Sequence, residues 1–451
     1  MSFFIKGKPR NNVNRKFDKN KKGDKKAKIE KFESKQKSDS EIDSDIEYSD
    51  VPDKESEDEI ETPQEKRLRL AKKYLEEIER EEKLRAEDKE VDDNVTQRLK
   101  DDYLEQSGRL RRTVADSFVG FETDSIKYLK NVHKLPVTCL CLSSDNKYIF
   151  SGGKDSCLVK WCVETGKKLL ALTYKPKSDS SEFRHKTIIM AVAITQDSKF
   201  LASADRTKDI QIWDPENLKH LHTFRGHRGI ITGLVFRKDT HQLYSASEDR
   251  SMKVWSLDEM SYVESMFGHQ ASITSIDALS RERAITSGGQ DNTIRIWKIV
   301  EESQLIFNGH SSSIDCVKLV NEEYFVSGGQ DGQLSLWGAM KKKPLFNIPN
   351  AHGVSDSESN WITSVAALVN TDLVASGSCD GFIRLWKLAD NFRSMTQVLE
   401  IPVEGFVNAL AFTNDGKHII AGIGREHKLG RWWTNKNAKN LILIIPLMLK
   451  T

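Results

Sequence analysis

Seven of the nine tryptophans in this 451-residue chain fall at a nearly fixed period through its C-terminal three quarters. Trp161, Trp213, Trp255, Trp297, Trp337, Trp386 and Trp432 are 52, 42, 42, 40, 49 and 46 residues apart. A period near forty residues is that of one small antiparallel sheet repeated, and such a sheet buries its faces only by stacking on copies of itself. The fold class expected is therefore all-β, a seven-bladed β-propeller.

A set of polar residues travels with the tryptophan. His133, Ser151, Asp155 and Trp161 return in the same order as His227, Ser245, Asp249 and Trp255. They return again as His269, Ser287, Asp291 and Trp297, as His310, Ser327, Asp331 and Trp337, and as His352, Ser376, Asp380 and Trp386. The step from His to Asp is 22, 22, 22, 21 and 28 residues, the last lengthened by a polar stretch at 355–360. Such sets mark WD40 repeats. Between His and Ser runs an apolar stretch such as 230–236, and the Asp opens a turn into a strand that ends at Trp. Sheets stacked face to face must satisfy the polar atoms they bury, each of which otherwise costs about 1–3 kcal/mol. A His that links a hydroxyl to a carboxylate, with the indole N–H joining, does this. The same residue types make a hydrolase triad, but a triad is one constellation around an exposed nucleophile, whereas these sets repeat blade after blade.

Two units depart from the pattern. In the second, His185, Ser203 and Trp213 keep their offsets while Thr207 stands at the Asp position, so that tetrad is expected to be broken. In the seventh, counting back from Trp432 puts Glu426 at the Asp position, Glu404 at the His position and Gly422 at the Ser position. That blade is expected to rest on packing or on closure by both ends of the chain. Residues 126–129 and 441–445 compete for its outer strand.

The formal net charge of +2 conceals segregation. Residues 1–37 are dominated by Lys and Arg, and 39–61 by Asp, Glu and Ser, with too little apolar surface to offset the entropy of ordering. We expect 1–61 to be a disordered tail, basic then acidic, 62–107 a charged helical segment, 108–124 a linker and 125–451 the propeller. In the tail, Arg15, Lys16, Lys21, Lys22, Lys25 and Lys26 have the character of a nuclear targeting element. Ser38, Ser40, Ser44 and Ser56 each have an acidic residue three positions on, which suits an acid-directed kinase. Thr62 and Pro63 open a helix, and Leu68, Ala71, Leu75 and Ile78 form a narrow apolar stripe on it. A second helix, from about Asn94 to Gln106, ends at Ser107-Gly108. The thin stripes read equally as solvated helices or as helices bound by a partner.

Six cysteines without paired CxxC spacing make neither a disulfide framework nor a metal cluster, and Cys139 and Cys141 read as small core residues of a reducing compartment. Neither 1–5 nor 441–449 has the length of a signal core or a membrane span, so no membrane partner is expected. No phosphate loop, metal cluster or isolated nucleophile is present in the sequence, and we expect no enzyme activity, cofactor, metal or small-molecule substrate.

Outside the repeats, Thr62-Pro63-Gln64-Glu65 and the basic helix after it, Gln106-Ser107-Gly108-Arg109-Leu110, His133-Lys134-Leu135-Pro136-Val137, and above all Gly424-Arg425-Glu426-His427-Lys428-Leu429-Gly430-Arg431-Trp432-Trp433 are distinctive. In these the chain resembles the WD-repeat proteins of the U3 small nucleolar ribonucleoprotein, over residues from about 61 to the end. The resemblance implies a nucleolar, non-catalytic scaffold that binds U3 small nucleolar RNA at its box B/C element. It also implies a kink-turn-binding protein and other small-subunit processome proteins as partners, in processing of the ribosomal RNA precursor. From the residues themselves, Arg184, Lys186, Arg206, Lys208, Arg228, Arg250, Arg425 and Lys428 adjoin the recurring His and Asp positions. They are expected to crowd one rim, which suits folded RNA read by shape and backbone. The rival class is a protein-only scaffold, either a histone-binding propeller using the acidic block or a ubiquitin-ligase substrate receptor. The receptors' Trp-Asp-x-Arg marker is missing, since the one Trp-Asp, Trp213-Asp214, is followed by Pro215-Glu216.

Overall fold

The computed structural model describes residues 63–83, 91–130, 132–173, 183–355 and 358–450. The basic run, the acidic Ser-rich block and Thr62 lie outside them. Among the described residues the strands form seven sheets of at least four strands and one two-stranded hairpin, a seven-bladed propeller. The innermost strands are Val137–Leu142, Ile189–Ile194, Ile231–Phe236, Ile273–Ala278, Ile314–Leu319, Ser364–Ala367 and Phe406–Phe412. Each touches the next, and the last touches the first, so the ring is closed. The β-branched and aromatic runs between Gly, Asp and Ser turns make each strand, and alternate side chains fill the layers between blades. Trp213, Trp255 and Trp337 are among the largest side chains buried there.

Neighbouring blades are stapled at the channel by threonine. The hydroxyl of Thr138 lies 3.0 Å from Gly152 O in its own blade and 2.5 Å from Ile189 O in the next. Thr232, Thr274 and Thr363 repeat this bridge, at 2.7, 2.5 and 2.6 Å to Ile273 O, Ile314 O and Val407 O of the following blade. One hydroxyl hydrogen, shared between a carbonyl of its own blade and one of the next, thus bridges each of these seams.

Closure of the seventh blade resolves the competition for its outer edge. Leu441–Leu449 is the third strand, paired with His418–Gly424. The outer position is shared by two strands from the N-terminal side, Lys127–Leu129 against Ile444–Ile442 and Phe118–Phe121 against Leu449–Leu447. The stretch 108–124 therefore contributes a strand to the ring. Pairing places Ile444 opposite Ile420, the register that Trp255 holds opposite Leu243 in the third blade. Trp432 is thus not the seventh repeat tryptophan. It sits in the long loop before the strand, 72% exposed, and Ile444 takes the buried place.

Ahead of the ring, helix α1 (Pro63–Lys83) and helix α2 (Val91–Gln106) are both charged. Ile78 is buried against Val95 and Leu99, with an Arg98–Glu81 ion pair at 2.9 Å beside it. Gly108 follows α2 at φ +70°, and a Cβ there would come 2.6 Å from Glu322 Cβ, so this turn needs glycine. The chain then straps across the ring. Arg281 donates to Ser107 O, Arg111 lies 4.8 Å over the Phe392 ring, and Asp372 accepts both Val114 N–H and Ala115 N–H.

This strap and the strand Phe118–Phe121 hold the seventh blade shut. A chain starting at residue 125 should therefore melt at least about 5 °C below one starting at residue 108. Differential scanning calorimetry of the two settles it, and equal melting temperatures would contradict the closure described.

Candidate nucleic-acid interface

Six buried relays fix one end of the ring. In each, a His Nδ1 lies 2.6–3.2 Å from an Asp carboxylate, its Nε2 lies 2.6–2.9 Å from a hydroxyl, and a Trp N–H donates to that hydroxyl at 2.6–2.8 Å. The arrangement that satisfies every atom has Nδ1–H donating to the carboxylate and Nε2 accepting from the hydroxyl, which itself accepts from the indole. His227, Ser245 and Trp255 are buried, which leaves the hydroxyl nothing to attack. It is consumed by structure.

Two of the relays differ from the expected sets. In the second blade Asp205 takes the carboxylate place, 3.2 Å from His185 Nδ1, so that tetrad is intact. Thr207 instead donates its N–H to Asp205 at 2.8 Å, as the residue two after Asp does elsewhere, for example Ser251 N–H to Asp249 at 2.9 Å. The carboxylate comes two residues early because Asp205, opposite Ile189, occupies the register that Ser247 holds opposite Ile231. In the fourth blade the hydroxyl belongs to Thr286, not Ser287. Ala284 pairs with Trp297, which puts Thr286 where Ser245 stands relative to Trp255, while Ser287 contacts the Thr274 hydroxyl at 2.9 Å.

The seventh blade has no such relay. Gly422 is at the hydroxyl register, and a Cβ there would sit 3.0 Å from Val137 Cγ1. Glu404 is exposed. Glu426 stays at the carboxylate end, held by Lys154 of the first blade at 3.5 Å and by Arg431 at 3.2 Å. His427, which the sequence reading passed over, is fully buried, with Trp361 4.4 Å away ring to ring. Burial first, then the nearby Lys428 and Lys154, push its pKa down to about 3, and Leu429 N–H donates to its Nδ1 at 3.3 Å, so the ring is neutral.

Because each relay joins the turn before the first strand to the turn after the second, residues following the His and the Asp share one rim. After the His stand Lys134, Lys186 and Arg228 in blades one to three, but Gln270, Ser311 and Gly353 in blades four to six. After the Asp stand Arg206 and Arg250 in blades two and three, but Asn292, Gly332 and Gly381 in blades four to six. Lys134, Lys186, Arg206, Lys208, Arg228 and Arg250 are exposed. Their backbones are pinned by the relays themselves: Lys134 N–H and Arg228 N–H each donate to the neighbouring Asp at 2.8 Å. Cations thus collect on adjacent blades, and Lys134, at the first of these positions, extends the expected set.

The other expected residues are engaged differently. Arg184 donates to Thr173 O at 2.7 Å, and Arg425, though exposed as a residue, donates through Nε to Ala438 O at 2.6 Å. Lys428 turns into the central channel, where its Nζ donates to Thr363 O at 3.1 Å. It is a channel residue. Asp315 lies in the same channel, its carboxyl raised by burial despite the opposing charge of Lys428.

The relay carboxylates also set the acid limit of stability. Burial disfavours ionisation of Asp155, Asp205, Asp249, Asp291 and Asp331, yet hydrogen bonds from His and backbone outweigh it and hold all five below the usual range, Asp291 at about 2. A folded value below the unfolded one of about 3.9 gives stabilisation that is complete above that pH and is lost as pH falls through the folded value. Melting temperature should therefore drop between about pH 4 and pH 2, and Asp249→Asn should reduce the slope there; an unchanged slope would contradict the relay. Thr286→Val should leave His269 and Trp297 without their shared hydroxyl and cost about 2–4 kcal/mol in denaturant unfolding. Ser287→Ala should cost clearly less, and the reverse order would refute the register.

Six spans, 126–162, 178–214, 218–256, 260–298, 301–338 and 347–387, match the family model described as WD domain, G-beta repeat. The residues of the seventh blade after 387, where the relay is missing, fall outside these matches. The chain is 50% identical over 393 residues to mouse "U3 small nucleolar RNA-interacting protein 2", covering 86% of this chain and 82% of that protein. It is 35% identical over 425 residues to the Arabidopsis thaliana "U3 snoRNP-associated protein-like EMB2271", covering 88% of each. The solved structure reported as "Structure of U3-55K" is similar with a TM-score of 0.70 at 48% identity, covering 73% of this chain and 100% of that one. With the relays, the ring and the charged rim in place, the chain belongs to the WD-repeat family and, within it, to the U3 small nucleolar RNA-interacting proteins.

Proposed function

We propose that this protein is a non-catalytic component of the U3 small nucleolar ribonucleoprotein that binds U3 RNA through the rim of blades one to three and acts in processing of the small-subunit ribosomal RNA precursor. The observation that carries the RNA reading is the placement of Lys134, Lys186, Arg206, Lys208, Arg228 and Arg250 directly after relay His and Asp residues or within the same turns. Six cations on rigid turns of neighbouring blades present a fixed track for phosphates. A track of this kind reads the backbone and shape of a folded RNA rather than base edges in a deep groove. The names of the relatives, which speak of U3 RNA interaction and of ribosomal RNA processing, support U3 as that RNA and ribosomal RNA processing as its pathway. Within that reading, the RNA element is box B/C, a kink-turn-binding protein sits beside it, and the site of action is the nucleolus.

The test is a salt titration of full-length protein on a U3 RNA fragment containing box B/C. Replacing Arg206, Lys208, Arg228 and Arg250 together with Ala should weaken binding and make the slope of log K against log salt shallower by about 3. Lys428→Ala, in the channel, should change that slope little. Binding and slope that survive the fourfold replacement would rule the rim out.

A further inference from the structure

The same end of the ring carries a second feature of opposite character. Between blades five, six and seven lies a cavity of about 580 Å³, lined by Trp361, Phe406 and Trp433 together with Gln330, Asp331 and Glu358. Trp433 belongs to the long loop of the seventh blade and is half exposed; its ring stands at 79° to that of Trp361, 5.0 Å between centroids. Two indoles at nearly a right angle form a corner with two π faces. Trp361 is held from behind by the buried neutral ring of His427, so one wall of the corner is fixed.

Among the described residues no Lys or Arg lines this cavity, whereas two carboxylates do. Asp331 is committed to His310 at 3.1 Å, and Glu358 is exposed. Faces of indole and phenyl rings attract a cation, and a carboxylate at the mouth adds to that attraction and repels phosphate. From the aromatic corner, the carboxylate and the missing basic lining, we infer that the cavity receives an arginine side chain of a protein partner. The planar guanidinium stacks on an indole while its edge donates to Glu358 in a fork that lysine cannot match. The rim is thereby divided, with RNA on blades one to three and a basic protein segment on blades five to seven. This inference does not depend on the RNA reading.

The probe is a heptapeptide, Gly-Ser-Gly-Arg-Gly-Ser-Gly, titrated into full-length protein and followed by indole resonances, beside the same peptide with citrulline in place of arginine. The arginine peptide should saturate and perturb Trp433, with the citrulline peptide binding on the order of tenfold more weakly. Trp433→Ala and Glu358→Gln should each weaken the arginine peptide by several fold. Trp433→Ala is checked for an unchanged melting temperature, which its half-exposed side chain leads us to expect, and Glu358→Gln tests the site without altering the aromatic corner. Absence of saturable binding, equal binding of the citrulline peptide, or indifference to both variants would overturn the inference. So would a hexauridylate that binds in the peptide's place and is lost in Trp433→Ala, since the cavity would then be a base-stacking site. Loss of the U3 salt slope in the rim variant, with peptide binding intact, separates failure of one reading from failure of the other.

Discussion

The structure depends on one buried hydroxyl, used six times. It accepts from an indole on the third strand and donates to an imidazole in the preceding turn, and that imidazole holds the carboxylate of the next turn. Each relay therefore ties a blade's sheet to the loops at one of its ends. Buried in a low-dielectric seam, such a network is valuable when complete and costly when any member is missing. Its completeness explains why one hydroxyl can come from Thr286 and one carboxylate from Asp205: the geometry is kept while the sequence offset is not.

The seventh blade shows what happens when the relay is given up. Gly422, Ile444 and the exposed Glu404 leave it without the hydroxyl, the indole and the imidazole of a relay. Stability there comes from apolar packing of Ile420, Ile442 and Ile444 against the first blade, from the Lys154–Glu426–Arg431 cluster, and from two borrowed outer strands. A sheet that would otherwise present an open edge is covered by the chain's own N-terminal side, which is also how the ring is locked. Freed from the relay, the loop 425–440 carries Lys428 into the channel and Trp433 to the rim.

Much of this was legible in the sequence. Six of the seven blades are marked by a tryptophan at the repeat position, and the His, Ser and Asp offsets gave the end of the ring at which the rim residues meet. What spacing missed was register. Ser287 and Thr207 stand at the expected offsets from Trp297 and Trp213, but strand pairing, which a linear count does not see, moved the working atoms to Thr286 and Asp205. Trp432 fitted the period by coincidence, because an insertion of loop before the last strand pushed the real position to Ile444. Lys428 looked like a rim cation because it lies beside Glu426, at the expected Asp position of the seventh unit, yet its turn folds inward. Lys134 was overlooked although it follows His133 just as Arg228 follows His227.

A propeller whose relay imidazoles, hydroxyls and indoles are occupied by their own bonding is left with its edge for recognition, and the edge here is unequal: cationic on adjacent blades, aromatic and acidic across the channel. The most direct measurement is ultraviolet crosslinking in cells with identification of both the RNA and the crosslinked peptides. The account predicts one dominant small nucleolar RNA, with adducts in the turns around Lys134, Lys186, Arg206 to Lys208, Arg228 and Arg250. Adducts confined to the outer strands or to the face crossed by the strap, or a yield of protein partners with no enriched RNA, would contradict it.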